Sequence, residues 1–204
     1  MKRKTIPLLV GILLASIALP TSARAATKED LRVAMRQLWE DHVSWTRLFI
    51  VSALSDLPDK QATTERLLKN QADIGNAIKP FYGEAAGTKL TGLLREHILI
   101  AADIVTAAKA ADSGKLEPAK ARWVSNADEI AAFLSGANPK NWPAADMKKM
   151  MHDHLDLTTA ELTARLNKDW AADVAAYGKV REQILHMSDM LAAGIASQFP
   201  EKVA

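Results

Sequence analysis

Asp41-His42-Val43, Glu96-His97-Ile98 and Asp153-His154-Leu155 are one pattern written three times: an acid, a histidine and an aliphatic residue. The histidines stand 55 and then 57 residues apart. Seven positions before them lie Met35, Leu90 and Met147; four before, Leu38, Leu93 and Met150; three before, Trp39, Leu94 and Met151. Offsets of seven, four and three mark one face of an α-helix. Each histidine therefore continues the apolar stripe of its own helix and is expected to point inward.

A second signature follows each histidine after 28, 29 and 29 residues: the amides of Asn70, Asn126 and Gln183. Three residues further on come Asp73, Glu129 and His186, candidate ligands or hydrogen-bond partners. Ile74, Ile130 and Met187, then Ile78, Leu134 and Leu191, complete an apolar face. Each unit reads as a helical hairpin, with acid-His on its first helix and the amide on its second. Repeats of this length denote tandem supersecondary units around a shared core. The expected fold is all-α, a six-helix bundle of three tandem hairpins at about 27–80, 84–136 and 143–200. A closed arrangement would bring the histidines together; a row would keep them apart, and the pattern is compatible with both.

The N-terminus carries a different message. Lys2, Arg3 and Lys4 precede an apolar run from Ile6 to Leu19, and Ala23-Arg24-Ala25 is an A-x-A cleavage signal. The run is 14 residues long, shorter than the ~20 a membrane span needs. The reading is a signal peptide over 1–25, cleavage after Ala25, and a periplasmic or secreted domain over 26–204 without a stable membrane span. Removing the four basic residues of that segment from the net charge of +2 leaves −2 on the body. A slightly acidic chain without a basic run gives no support for nucleic-acid binding. The chain has no cysteine, which excludes disulfides, thiolate metal sites, c-type haem attachment and cysteine catalysis.

Along the body, Thr27 is a good N-cap, followed by the stripe Leu31, Met35, Leu38, His42, Trp45 and Phe49. Pro80 and Gly83 are expected to break the second helix, Pro118 to sit in the first turn of the fourth, and Gly136 to Pro143 to form a loop. The third helix carries Gly87 and Gly92, positions of low propensity or close packing. Trp170, Val174, Tyr177, Val180, Ile184, Met187 and Leu191 form the stripe of the last helix. Strand alternation and hairpin-turn signals are missing.

Histidines and carboxylates on the inner faces of neighbouring helices are how bundles build metal centres. The candidate ligands are His42, His97, His154, His186, Asp73 and Glu129, suited to a divalent transition metal such as Zn, Cu, Mn or Fe. Met147, Met150, Met151, His152, His154, His186, Met187 and Met190 form a thioether–imidazole pool with an affinity for copper, or gap-filling core. The alternative is structural: each histidine hydrogen-bonds the amide of its own hairpin, and the work of a non-catalytic envelope protein is done by a partner-binding surface. Asp41, Glu96 and Asp153 lie off the stripe and read as solvated. Arg47, Arg66 and Arg122 read as ion-pair partners. No nucleophile elbow, phosphate loop or dinucleotide fingerprint is present, so no catalytic residue is assigned.

The stretches WEDHVSWTR (39–47), RLLKNQADIGNAIKPFYG (66–83), NADEIAAFLSGANP (126–139) and QFP (198–200) resemble a family of small bacterial all-helical proteins. The resemblance spans most of the body and implies the all-α fold without a defined activity. Glycosyltransferase and acetylglutamate kinase labels occur among its members. Neither fits these residues, which lack a nucleotide or sugar-donor motif and the α/β pattern of such enzymes.

Overall fold

The structure is a computed structural model that describes residues 26–203. The basic segment, apolar run and A-x-A signal of 1–25 lie outside the described residues. Six helices make up the bundle: α1 (Lys28–Leu54), α2 (Lys60–Tyr82), α3 (Glu84–Lys109), α4 (Ser113–Ala137), α5 (Ala144–Leu166) and α6 (Trp170–Gln198). There is no strand among the described residues.

The connections are short, so successive helices run antiparallel. Each helix packs on the next, and α6 packs back on α1, closing the six into a ring. That contact decides between a ring and a row. The odd-numbered helices carry the histidines, and α1 also meets α3 across the interior. One cluster of buried apolar side chains draws on all six helices, from Met35 and Trp39 on α1 to Leu191 and Ile195 on α6. No helix among the described residues is long and apolar enough to cross a membrane.

Local chemistry sets the ends. Thr27 and Asp30 form a capping box: the Asp30 N–H donates to Thr27 Oγ1 at 3.1 Å and the Thr27 N–H to Asp30 Oδ2 at 2.9 Å. Gly83, at φ 85°, separates α2 from α3 without any further linker residue. Two prolines are placed differently from expectation. Pro80 lies within α2, which continues to Tyr82, and Pro118 lies within α4, which begins earlier, at Ser113. Pro80 is in the last turn, so the helix ends soon after the lost hydrogen bond. Pro118 is near the start of α4, where little helix precedes its ring. Asp112 caps α4 by accepting from the Lys115 N–H at 3.1 Å.

The start of α6 also departs from the apolar stripe. Trp170 and Val174 are 55% and 63% exposed, while Asp173 is buried. Asp173 is drawn inward by Arg47 and Arg165, and the two apolar neighbours turn outward with it. The other tryptophans divide between the fully buried Trp39, Trp123 and Trp142 and the half-buried Trp45.

Helices α2 and α3 approach so closely that their glycines face each other. A Cβ on Gly75 would clash with Thr91 Oγ1 and lie 2.6 Å from the Gly87 carbonyl oxygen, whereas one on Gly92 would meet nothing within 4 Å. Gly75→Ala is therefore expected to destabilise by about 1–3 kcal/mol through overpacking. Gly92→Ala is expected to stabilise by about 0.5–1 kcal/mol through helix propensity. Urea unfolding of both variants checks the pair; equal signs would show that the backbone approach is not close.

Candidate functional site

The ring places His42, His97 and His154 together at its centre. All three are buried. The His154 ring lies between the other two, with centroids 5.8 Å from His42 and 6.2 Å from His97. Trp39 meets His42 edge-on at 5.7 Å, and Trp123 lies against His97 at 5.1 Å.

Each ring is held through Nδ1 by an amide of the following helix. His42 Nδ1 pairs with Gln71 Oε1 at 3.2 Å, His97 Nδ1 with Asn126 Oδ1 at 2.9 Å, and His154 Nδ1 with Gln183 Oε1 at 3.3 Å. The separation is 29 residues in every case. The amides are oriented in turn by backbone. Asn126 Nδ2 donates to the Leu93 carbonyl at 3.1 Å and Gln183 Nε2 to the Met150 carbonyl at 3.0 Å, each four residues before the histidine. In the first pair the task is divided. Asn70 Nδ2 donates to the Leu38 carbonyl at 3.0 Å, and Gln71 Nε2 donates to Leu67 O and to Asn70 Oδ1.

The tautomers follow from this network. A backbone carbonyl only accepts, so the amide NH₂ must face it and the amide oxygen must face the imidazole. Nδ1 therefore carries the proton in all three rings, and Nε2 carries a lone pair. No hydrogen bond to any of the three Nε2 atoms occurs among the described residues. Nearby donors are also idle: Trp39 Nε1, Trp123 Nε1 and Thr158 Oγ1 are buried without a partner.

Burial keeps the rings neutral. It lowers the His97 pKa to about 3 and that of His154 to about 4, and burial together with the two neighbouring histidines holds His42 well below the ordinary histidine value. The hydrogen bonds that the rings donate to the amide oxygens oppose these shifts without cancelling them.

The remaining candidate ligands lie elsewhere. Asp73 pairs with Lys69 at 3.0 Å on the surface of α2, and Glu129 and His186 are exposed. Three residues is 300° of helix, so a position three beyond an inward amide turns to the flank, whereas the position four beyond (Ile130, Met187) returns to the core. In α2 the inward amide is Gln71, which leaves Asp73 only two residues on. Among the described residues no three His, Asp or Glu side chains stand in position to hold a metal ion as they lie. In the methionine–histidine pool, Met147, Met151 and Met187 are core, and His152 pairs on the surface with Asp128 at 2.7 Å.

A second buried polar group lies between α1, α5 and α6. Arg47 donates to Glu161 Oε1 at 2.7 Å and to both Asp173 oxygens at 2.8 and 3.0 Å; Arg165 adds a 2.8 Å bond to Asp173. Burial raises the Glu161 pKa against the pull of Arg47. Burial also opposes ionisation of Asp173, but the two guanidiniums outweigh it and hold its pKa low. Arg47 also lies over the Tyr177 ring at 4.9 Å. Arg66 and Arg122 pair with Asp41 and Asp103, as flanking residues do. The acid beside His154, Asp153, pairs with Lys149 on the surface, and Glu96 is exposed.

Gln71, Thr158 and Asp173 carry weight here that the sequence pattern did not assign. The one signal was the odd spacing of 28 at Asn70, which pointed one residue short of the true partner. In comparisons with known proteins, no family model, curated protein or solved structure matches this chain.

Two outcomes are expected. Asn126 serves both His97 and the Leu93 carbonyl, so Asn126→Ala strands two buried groups and is expected to cost about 2–4 kcal/mol. Gln71→Ala, with Asn70 still holding Leu38, is expected to cost clearly less; equal losses in denaturant melts would refute the division of labour. The second concerns pH. Folded-state histidine pKa values lie below the unfolded value of ~6.5, so their stabilisation is complete above that value and drains away as pH falls towards about 4 and 3. At pH 5 unfolding should therefore take up protons, and His97→Gln should take up about one fewer than the wild type. Identical uptake in the two proteins would show that His97 is not buried neutral.

Proposed function

We propose that this protein is an exported helical bundle that binds one transition metal ion at the centre of its ring, through Nε2 of His42, His97 and His154. The observation that carries the reading is the locked tautomer. Three buried imidazoles are each committed at Nδ1 to an amide oxygen, and each keeps an Nε2 lone pair without a donor. Metal-bound histidines characteristically donate their other ring N–H to an oxygen acceptor that fixes ring and tautomer. Depressed pKa values favour the same outcome, because a neutral ring is the form that binds metal.

Geometry sets the requirement for loading. Three imidazoles on one tetrahedral ion at ~2.0 Å have ring centroids about 5 Å apart. The observed 5.8 and 6.2 Å place His154 about 1 Å too far from each of its two neighbours. An all-nitrogen donor set suits Zn, Cu, Mn or Fe, with affinity highest for copper. A closed ring of imidazoles leaves a position for a small ligand. The signal-like segment of 1–25 supports export to the periplasm or beyond.

A second reading is favoured by one observation: each Nδ1–amide–backbone connection is complete within its own helix pair. On that reading the histidines are copied structural bonds that fix helix register, and function lies in a protein-binding surface. Elemental analysis of protein purified without a metal-binding tag separates the two. The metal reading expects near-stoichiometric metal, lost on His154→Gln, and a melting temperature that falls on chelation. Metal-free protein that neither reloads with Zn, Cu, Mn or Fe nor gains stability from them would leave the structural reading standing.

A further inference from the structure

The core is not filled on the side of the histidine layer that faces the C-terminal ends of α1, α3 and α5. A void of about 20 Å³ opens there, and its wall repeats the histidine geometry. Thr46, Ala101 and Thr158 stand four residues after His42, His97 and His154; Ile50, Val105 and Leu162 stand eight after them, and all six line it. Four residues of helix is about 6 Å, so the void begins within one turn of the imidazoles. The imidazoles themselves do not line it.

Size and chemistry narrow the occupant. A single water needs ~10–15 Å³ and two to four polar partners. Space for water is present, but partners are scarce. Nine of the twelve wall residues are apolar. Thr46 Oγ1 is committed to the His42 carbonyl at 2.7 Å, and Thr158 Oγ1 is the buried wall hydroxyl without a partner. A water bridging Thr158 Oγ1 and Trp123 Nε1, the two unpartnered polar groups of the wall residues, would still leave its remaining hydrogen bonds unmade. A charged or larger molecule fits neither the apolar wall nor the volume. The asymmetry among equivalent positions points the same way: Phe49 and Ile104 line the void, while the corresponding Glu161 is turned out of it to Arg47. The one carboxylate on this level is kept out of the void.

We propose that the void is a binding pocket for a small uncharged diatomic molecule of the dioxygen class, held by apolar contact, with Thr158 and Trp123 supplying the unpartnered polar groups of its wall. The void exists without any metal, so the pocket does not depend on the metal reading. If an ion occupies the histidine layer, the pocket stores its small-molecule ligand one helical turn away.

Dioxygen itself is the probe. The paramagnetic molecule speeds relaxation of the methyl groups it touches, which methyl-labelled protein reports by NMR under oxygen against nitrogen. Chelator-treated protein of the full mature length is used, so the result is independent of metal binding. The expected result is a several-fold greater enhancement at Ile50, Ile104, Val105 and Leu162 than at Ile184 and Ile195, which are equally buried but line no part of the void. Ala101→Leu fills the pocket and is expected to abolish the difference, and Val105→Leu serves as a second filling variant should the first fail to fold. Thr158→Val keeps the shape and should keep the effect. Equal enhancement at cavity and non-cavity methyls, or enhancement that survives filling, overturns the proposal, as does a fully ordered water in a high-resolution crystal structure.

Discussion

A buried imidazole is an awkward tenant of an apolar core. It is neutral there because burial forbids the charge, yet both nitrogens still seek partners. This protein holds three such rings in contact at the centre of a helical ring. Much else about the structure can be traced to satisfying them. The amides of α2, α4 and α6 exist on the inner face for this purpose. Each amide oxygen takes an imidazole N–H, and its nitrogen holds a backbone carbonyl of the histidine's own helix, directly or through a neighbouring amide. One side chain thus ties two helices together at a defined height. Because a stranded buried polar group costs more than a satisfied one returns, these connections specify register more strongly than they add to overall stability.

That register has consequences along the bundle axis. Once the histidines are level, the residues one turn on are level too, and Thr46, Ala101 and Thr158 form a wall of small side chains. Small residues beside a layer of rings leave a gap. The neighbouring level is closed on one side by the Arg47–Glu161–Asp173–Arg165 group, in which each buried carboxylate is matched by a guanidinium. Isolated charges would be intolerable there; paired ones are accepted because the bidentate geometry answers most of their hydrogen-bonding demand. The same pairing twists the start of α6, burying Asp173 and leaving Trp170 and Val174 on the surface.

Functionally, the two polar groups are unlike. The arginine–carboxylate group is close to self-satisfied. The histidine layer is complete at Nδ1 and incomplete at Nε2, with indole and hydroxyl donors near it that are themselves unpartnered. Buried polar atoms without a partner also occur at Arg66, Arg165 and Ser188, but only beside the histidines do they accompany a layer of rings whose orientation is fixed. That coincidence is the reason for proposing a site in the interior rather than on the flanks, where Asp73 pairs with Lys69 and Glu129 and His186 are exposed.

From the residues alone, the helices, the inward direction of His42, His97 and His154 and the existence of amide partners were all legible. They follow from the 3.6-residue period, which is local and leaves its mark on every stripe. Sequence also placed Asn126 and Gln183 correctly. It missed Gln71, because one helical pair divides between two adjacent amides a task that the others give to one. It sent Trp170 and Val174 inward, because periodicity cannot know that Arg47, more than a hundred residues away, will claim Asp173. The ring itself was beyond the pattern: whether α6 returns to α1 depends on the angle at which each helix packs on the next. Only the tertiary structure decided that the three histidines meet, since convergence is a sum over six packing interfaces and no single stretch of chain encodes it.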